Sequence, residues 1–189
     1  MKLNILYMIT VRIHGRGGQG NVTLAELIAM AAFYDGKQVQ AFPVFGVERK
    51  GSPVTAFVKI NDKFIRSREQ VHEPDYIIVL DPSLVAIANV LTGAKKTSVV
   101  IINSDKLPAQ VCPGYGGKIY CVPVLKIALE TIGKPIINTA ILGAFAKISG
   151  LIKLESAKKA TSEHLGEKYD QALIDKNISA LVAAFDYVK

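Results

Sequence analysis

The first residues whose types and spacing suggest chemistry are His14-Gly15-Arg16-Gly17-Gly18-Gln19-Gly20. Gly15, Gly17 and Gly20 satisfy a G-x-G-x-x-G spacing, with an apolar β-branched run before them and an Ala/Leu-rich run after. Glycines let backbone amides approach a ligand closely, a helix start adds partial positive charge, and Arg16 adds a full one. Together these make an anion site, most naturally for phosphate. The competing reading is that the glycines only let a helix pack tightly on a sheet; one such spacing does not decide between the two.

A second loop packs charge between glycines in apolar surroundings: Phe45-Gly46-Val47-Glu48-Arg49-Lys50-Gly51. Loops between rigid strands commonly carry function, so Glu48 and Arg49 are candidates to orient a ligand or a partner chain, against the plainer reading of solvated loop charges. Charge is concentrated around these two loops. Residues 1–70 hold ten Lys/Arg against five Asp/Glu, residues 71–189 thirteen against eleven, and all five arginines lie within the first 68 residues. Arginine's planar fork suits phosphate, carboxylate and interface contacts.

The other candidates carry less. His14, His72 and His164 have no zinc spacing. His14 abuts the glycine loop, where it would either help hold an anion or make a structural hydrogen bond. Cys112 and Cys121 form neither a CxxC nor an iron–sulfur ligand set. There is no nucleophile elbow and no Walker lysine, so no catalytic residue and no metal ligand is assigned. The lysines are scattered, with no basic helix or aromatic-studded strand to read nucleic acid.

The elements that must position these loops follow from the apolar pattern. Ile5–His14 reads as a strand, Asn21 as the cap of a helix over Val22–Tyr34 stopped by Asp35-Gly36, and Lys37–Phe42 as a second strand. Val54–Ile60 and Lys63–Ser67 read as a hairpin about Asn61-Asp62. Tyr76–Leu80, Thr97–Ile102 and Lys118–Val122 are further strands, with a helix from Pro82 or Ser83 to about Leu91 between the first two. Helices are expected over Val124–Thr131, Thr139–Ser149, Leu154–His164 and Lys168–Tyr187. The fold class is α/β: a single Rossmann-like domain over residues 1–189 with a mostly parallel sheet, one β-hairpin and a helical C-terminal part.

Composition bounds the rest. A chain of 189 residues, half hydrophobic and 21% charged, suits one globular domain rather than a disordered or fibrous chain. No apolar run approaches the ~20 residues of a membrane span. Two cysteines make no disulfide framework, and the chain reads as cytoplasmic. For dinucleotide binding there is a defect: the second strand ends in Ala41-Phe42-Pro43, with no acid there to hold a ribose.

The run HGRGGQGNVTLAELIAMAAFYDGKQVQAFPVFGVERKGSPVTAFVKI resembles the opening of the gamma subunit of 2-oxoacid:ferredoxin oxidoreductases of the pyruvate and 2-oxoisovalerate type. HEPDYIIVLDPSL and INTAILGAFAKISGLIKLESAKKA resemble later parts of the same subunit, in the same order. The resemblance implies one chain of a larger enzyme that oxidatively decarboxylates a 2-oxoacid, forms acyl-coenzyme A and passes electrons to ferredoxin. It implies alpha and beta subunits that bind thiamine diphosphate and Mg2+, a ferredoxin-like delta subunit with iron–sulfur clusters, and no firmly bound cofactor on this chain. This chain would contribute assembly and coenzyme A access. The matching positions are Gly15, Arg16, Gly17, Gly18, Gln19 and Gly20 in the first loop, and Glu48 and Arg49 in the second. The small subunit of indolepyruvate ferredoxin oxidoreductase has a similar glycine loop and is the near alternative. A free-standing nucleotide-binding module and a purely structural subunit are the alternatives of other classes.

Overall fold

A computed structural model describes residues 8–43, 51–67 and 69–189. The first strand, β1 (Ile9–Arg16), alternates: Val11 and Ile13 face a layer of helices, while Thr10, Arg12 and His14 face the opposite side. Helix α1 (Asn21–Tyr34) follows, with Leu24, Leu27, Ile28 and Ala31 fully buried. It ends in a Schellman motif: Gly36 at φ 81° lets its own amide bond Phe33 and the Lys37 amide bond Ala32. The chain continues through β2 (Gln38–Pro43), β3 (Pro53–Asn61), β4 (Tyr76–Val79), a short α2 (Leu84–Ile87), β5 (Val99–Asn103), a short α3 (Pro108–Val111) and β6 (Lys118–Val122). Four helices close it: α4 (Val124–Thr131), α5 (Asn138–Ser149), α6 (Leu154–Gly166) and α7 (Gln171–Tyr187).

The strands form one sheet in the order β2-β3-β1-β4-β5-β6. β3 runs antiparallel to both its neighbours, so the other five strands point one way. The main core lies between one face of the sheet and α1 with α4–α7, where Phe145 of α5 meets Tyr76 edge-on at 5.5 Å. A smaller core on the other face gathers Ile77, Val79, Val100 and Ile102 under Leu84, Val90 and Cys112. No helix among the described residues is long and apolar enough to cross a membrane.

Three sequence expectations are corrected. Lys63–Ser67 is not a strand, because β3 is paired along one edge with β1 (Ile9↔Ile60 to Arg16↔Pro53) and along the other with β2, leaving no edge free. The hairpin is instead β2–β3, and the Lys59 ammonium ties the 63–67 segment across the sheet by donating to the Ser67 carbonyl at 3.1 Å. The helix expected to reach Leu91 stops at Ile87: Asn89 takes a left-handed φ of 46°, and the carbonyls of Val90 and Thr92 turn toward buried Arg12. Asn21 does not cap α1. Gly20 is the cap residue, at φ 82°, and the Asn21 amide donates sideways to the Val54 carbonyl at 2.8 Å.

Candidate functional site: the glycine loop and its ion-pair knot

β1 and β4 are adjacent parallel strands whose connections leave toward opposite faces, α1 into the main core and α2 into the smaller one. The crevice beyond their carboxyl ends is where an open α/β sheet ordinarily binds a ligand. The glycine loop occupies one lip of it. Arg16 to Gln19 closes a tight turn: the Gln19 amide donates to the Arg16 carbonyl at 3.0 Å, and the Arg16 amide donates back to the Gln19 side-chain oxygen at 2.7 Å. Gly18 sits third in that turn at φ 93°, a conformation that favours glycine. Gly15 and Gly20 are held small by neighbours. A Cβ on Gly15 would lie 2.3 Å from Asn21 Oδ1, and one on Gly20 would lie 2.9 Å from Asn138 Nδ2.

The second loop joins the first at its downstream end. The Gly17 amide donates to the Ser52 carbonyl at 2.9 Å, and the Gly51 amide to the Gly17 carbonyl at 3.2 Å. Glu48 and Arg49, the candidates on that loop, lie outside the described residues.

Arg16 fastens three chain segments. Its Nε donates to Asp81 Oδ2 at 2.6 Å, Nη1 to the Gly51 carbonyl at 3.1 Å, and Nη2 to Ser83 Oγ at 2.9 Å. Asp81 Oδ1 accepts in turn from the Ser83 amide and hydroxyl. Burial alone would raise the Asp81 carboxyl, but the bonds from Ser83 and Arg16 outweigh it and hold it below its ordinary value. Arg16 is therefore a neutralised clamp. Arg16 is thus not a free cation for an anionic ligand.

His14 does not supply such a cation. Burial, and then the nearby Arg12 charge, push it down to about 4, and its Nε2 has no hydrogen-bond partner. Arg12, which the sequence reading passed over, is itself buried. Its guanidinium donates to the carbonyls of Val90 at 2.9 Å and Thr92 at 2.6 Å, and more weakly to those of Val71 and His72. The available signal was a lone arginine inside a β-branched strand. Asn138 was also passed over, although its side chain packs against Gly20. Cys112 and Cys121 are free, and burial pushes both thiols up, which keeps them poorly nucleophilic. No group of three or more His, Cys, Asp or Glu among the described residues could hold a metal ion.

The topology sharpens the case against dinucleotide binding. β3 is inserted between β1 and β2, so the end of β2 lies two strand spacings, about 10 Å, from the end of β1. Asp35, the acid nearest that strand, is occupied at the start of α6, accepting from the Lys153 amide and the Ser156 hydroxyl at 2.7 Å each.

Comparison with known proteins agrees with this architecture. The family model described as pyruvate ferredoxin/flavodoxin oxidoreductase matches residues 10–187. The chain is 50% identical over 182 residues to the common subunit gamma of pyruvate/ketoisovalerate oxidoreductases from Thermococcus kodakarensis, covering 95% of this chain and 96% of that one. It is 47% identical over 182 residues to the pyruvate synthase subunit PorC of Methanothermobacter marburgensis, covering 96% and 98%. The crystal structure of pyruvate oxidoreductase subunit PORC from Thermotoga maritima superposes with a TM-score of 0.84 at 34% identity, covering 95% of this chain and 96% of that one. These relatives are of the pyruvate/ketoisovalerate type and not of the indolepyruvate type. Matched almost end to end in sequence and in fold, the chain belongs to the pyruvate ferredoxin/flavodoxin oxidoreductase family and is of its gamma type.

Proposed function

We propose that this chain is the gamma subunit of a cytoplasmic, multi-subunit 2-oxoacid:ferredoxin oxidoreductase, where it serves assembly and the access of coenzyme A. The observation that carries the reading is the near full-length identity to gamma subunits, with both chains of each pair covered almost completely. A relative named as a subunit common to pyruvate and ketoisovalerate oxidoreductases also suggests a chain that does not itself select the 2-oxoacid. In this reading the alpha and beta subunits bind thiamine diphosphate and Mg2+, and a ferredoxin-like delta subunit carries iron–sulfur clusters. On those subunits thiamine diphosphate would supply the carbanion chemistry of decarboxylation and the clusters would supply one-electron transfer.

The chain's own contribution is a rigid face. The Gly17 amide bonds Ser52 and the Gly51 amide bonds Gly17, and Arg16 with Asp81 and Ser83 holds the shape of the Gly15–Gly20 turn. We assign that face to the coenzyme A phosphates or to the subunit beside them, and Glu48 and Arg49 to the same role on the resemblance of their loop alone. The test is an oxidoreductase assembled from its subunits with Arg16→Ala in this chain. A raised KM for coenzyme A or impaired co-purification is expected; with both unchanged, the assignment is wrong.

A further inference from the structure

The arginines of the first 68 residues are not all spent at the glycine loop. Arg66 lies on the segment that leaves β3. Two buried cations pin that segment from beneath: Lys59 donates to the Ser67 carbonyl at 3.1 Å, and Arg12 to the Val71 carbonyl at 3.4 Å. Ile65 and Val71 are buried with them, but Phe64, next to Ile65, is 76% exposed.

A second exposed phenylalanine belongs to the same end of the molecule. Phe33, in the last turn of α1, is 62% exposed. The Lys37 ammonium, just past that turn, meets Asp62 Oδ1 at 2.6 Å, and Asp62 stands two residues before Phe64. The end of α1 and the end of β3 are thereby tied side by side, each presenting an exposed phenylalanine. β2, an outer strand of the sheet, starts immediately after Lys37, and its residues Gln38–Pro43 carry no charge. Proteins ordinarily guard such an edge with charged side chains. Lys63 and Arg66, on either side of Phe64, are exposed and form no ion pair with a described residue. All of this lies at the amino ends of the parallel strands. The glycine loop is at the other end, the length of the eight-residue β1 away, roughly 25 Å.

We infer that this end of the molecule is the face on which a sibling subunit of the oxidoreductase docks, with Phe33 and Phe64 as anchors and Lys63 and Arg66 at the rim. The matching patch on that subunit is apolar and ringed by carboxylates. The inference rests on the reading of this chain as an assembly subunit and names the surface that does the assembling. Aromatic side chains are enriched in interface cores, and a segment already pinned in place loses little freedom when it is covered. Rim cations select a partner of opposite sign. They disfavour a second copy of this chain, which would bring its own Lys63 and Arg66 and a net charge of +7.

The test assembles the oxidoreductase from its subunits and measures how tightly this chain joins the complex. Phe33→Ala with Phe64→Ala should weaken assembly at least tenfold and leave the thermal midpoint of the full-length chain unchanged, since both rings are largely in water. Leu107→Ala, 69% exposed but beyond the carboxyl end of β5, should assemble as the parent does. Arg66→Glu should weaken assembly at low salt and much less at high salt, where rim charges are screened. A photo-crosslinking phenylalanine analogue in place of Phe64 should form its adduct with an Asp/Glu-rich surface of another subunit, and this reads the face even where an alanine variant unfolds. Unchanged assembly of the double variant, an equal loss from Leu107→Ala, or an adduct with a second copy of this chain would overturn the docking face and leave the assembly reading standing. If the parent chain does not join the other subunits at all, the assembly reading falls and the docking face with it.

Discussion

Arg16 Nε meets Asp81 Oδ2 at 2.6 Å across the carboxyl ends of two neighbouring parallel strands, in the crevice where an open α/β sheet ordinarily binds a ligand. The residue that looked in sequence like a free phosphate ligand is therefore a fastener of loops. Its partner's carboxyl is held below the ordinary carboxylate range, which fixes the sign of a pH effect. A carboxyl lowered in the folded state contributes stability above its unfolded pKa, and loses that contribution as pH falls through the folded value.

Asp81→Asn should accordingly destabilise the chain by about 1 kcal/mol at neutral pH, the modest value expected of a partly exposed pair with hydrogen bonds. The difference from the parent should shrink as pH falls below the ordinary aspartate value of about 3.9 and on through the lower folded value, where the parent's carboxylate takes up its proton. Thermal unfolding from pH 7 to pH 2.5 checks this. A difference that is constant over the whole range would show that the Asp81 charge does not stabilise the knot.

The glycines of the loop should differ in cost. Gly18 has φ 93° with open space where a Cβ would stand, whereas Gly20 has φ 82° and the Asn138 amide 2.9 Å from that point. Gly18→Ala should therefore cost only the left-handed strain, about 1 kcal/mol, and Gly20→Ala should cost about 2 kcal/mol because Asn138 must also move. Urea denaturation of the two variants gives the comparison, and the ordering Gly20 above Gly18 is the prediction.

Much of this was legible in the residues. The helix over Val124–Thr131 and the strand over Lys118–Val122 have the bounds read from the apolar pattern, and the glycine loop does join a strand to a helix. What failed depends on contacts distant in sequence. Lys63–Ser67 follows a turn-like Asn61-Asp62 as a second hairpin strand would, but β3 has both edges taken by β1 and β2. Asn21 has the composition of a cap, yet the Val54 carbonyl, 33 positions away, claims its amide. Arg16 is the sharpest case: its side chain reads as an available charge until Asp81, 65 positions on, is brought beside it.

His14 carries a second pH signature of its own. Burial and Arg12 lower it from an ordinary 6.5 to about 4, so the folded chain holds it neutral where the unfolded chain protonates it. That contribution is complete above pH 6.5 and is lost as pH falls from there toward about 4, at most about 3 kcal/mol. His14→Gln should flatten the stability profile over this window, separately from the more acidic effect of Asp81. The His14 ring resonance in NMR should titrate near 4, and titration near 6.5 would show the side chain to be solvated.

The INTAILGAFAKISG segment holds a glycine whose role is packing. Gly143 lies inside α5, where glycine is intrinsically worse than alanine by about 0.5–1 kcal/mol. On propensity alone Gly143→Ala should stabilise the helix. The neighbouring helix reverses the sign: a Cβ at Gly143 would stand 1.9 Å from the Leu181 carbonyl oxygen of α7, and 2.8 Å from its carbon. Backbone atoms cannot rotate aside as a side chain would, so α5 and α7 must separate, and the buried contacts of Ala140, Ala144 and Ala184 loosen with them. The expected net loss is about 2–3 kcal/mol, measured by denaturant unfolding. Gly150→Ala at the end of the same helix, with φ 62° and no atom within 4 Å of the added carbon, should cost only about 1 kcal/mol. Equal costs at the two positions would mean that α5 and α7 do not approach as closely as the geometry requires.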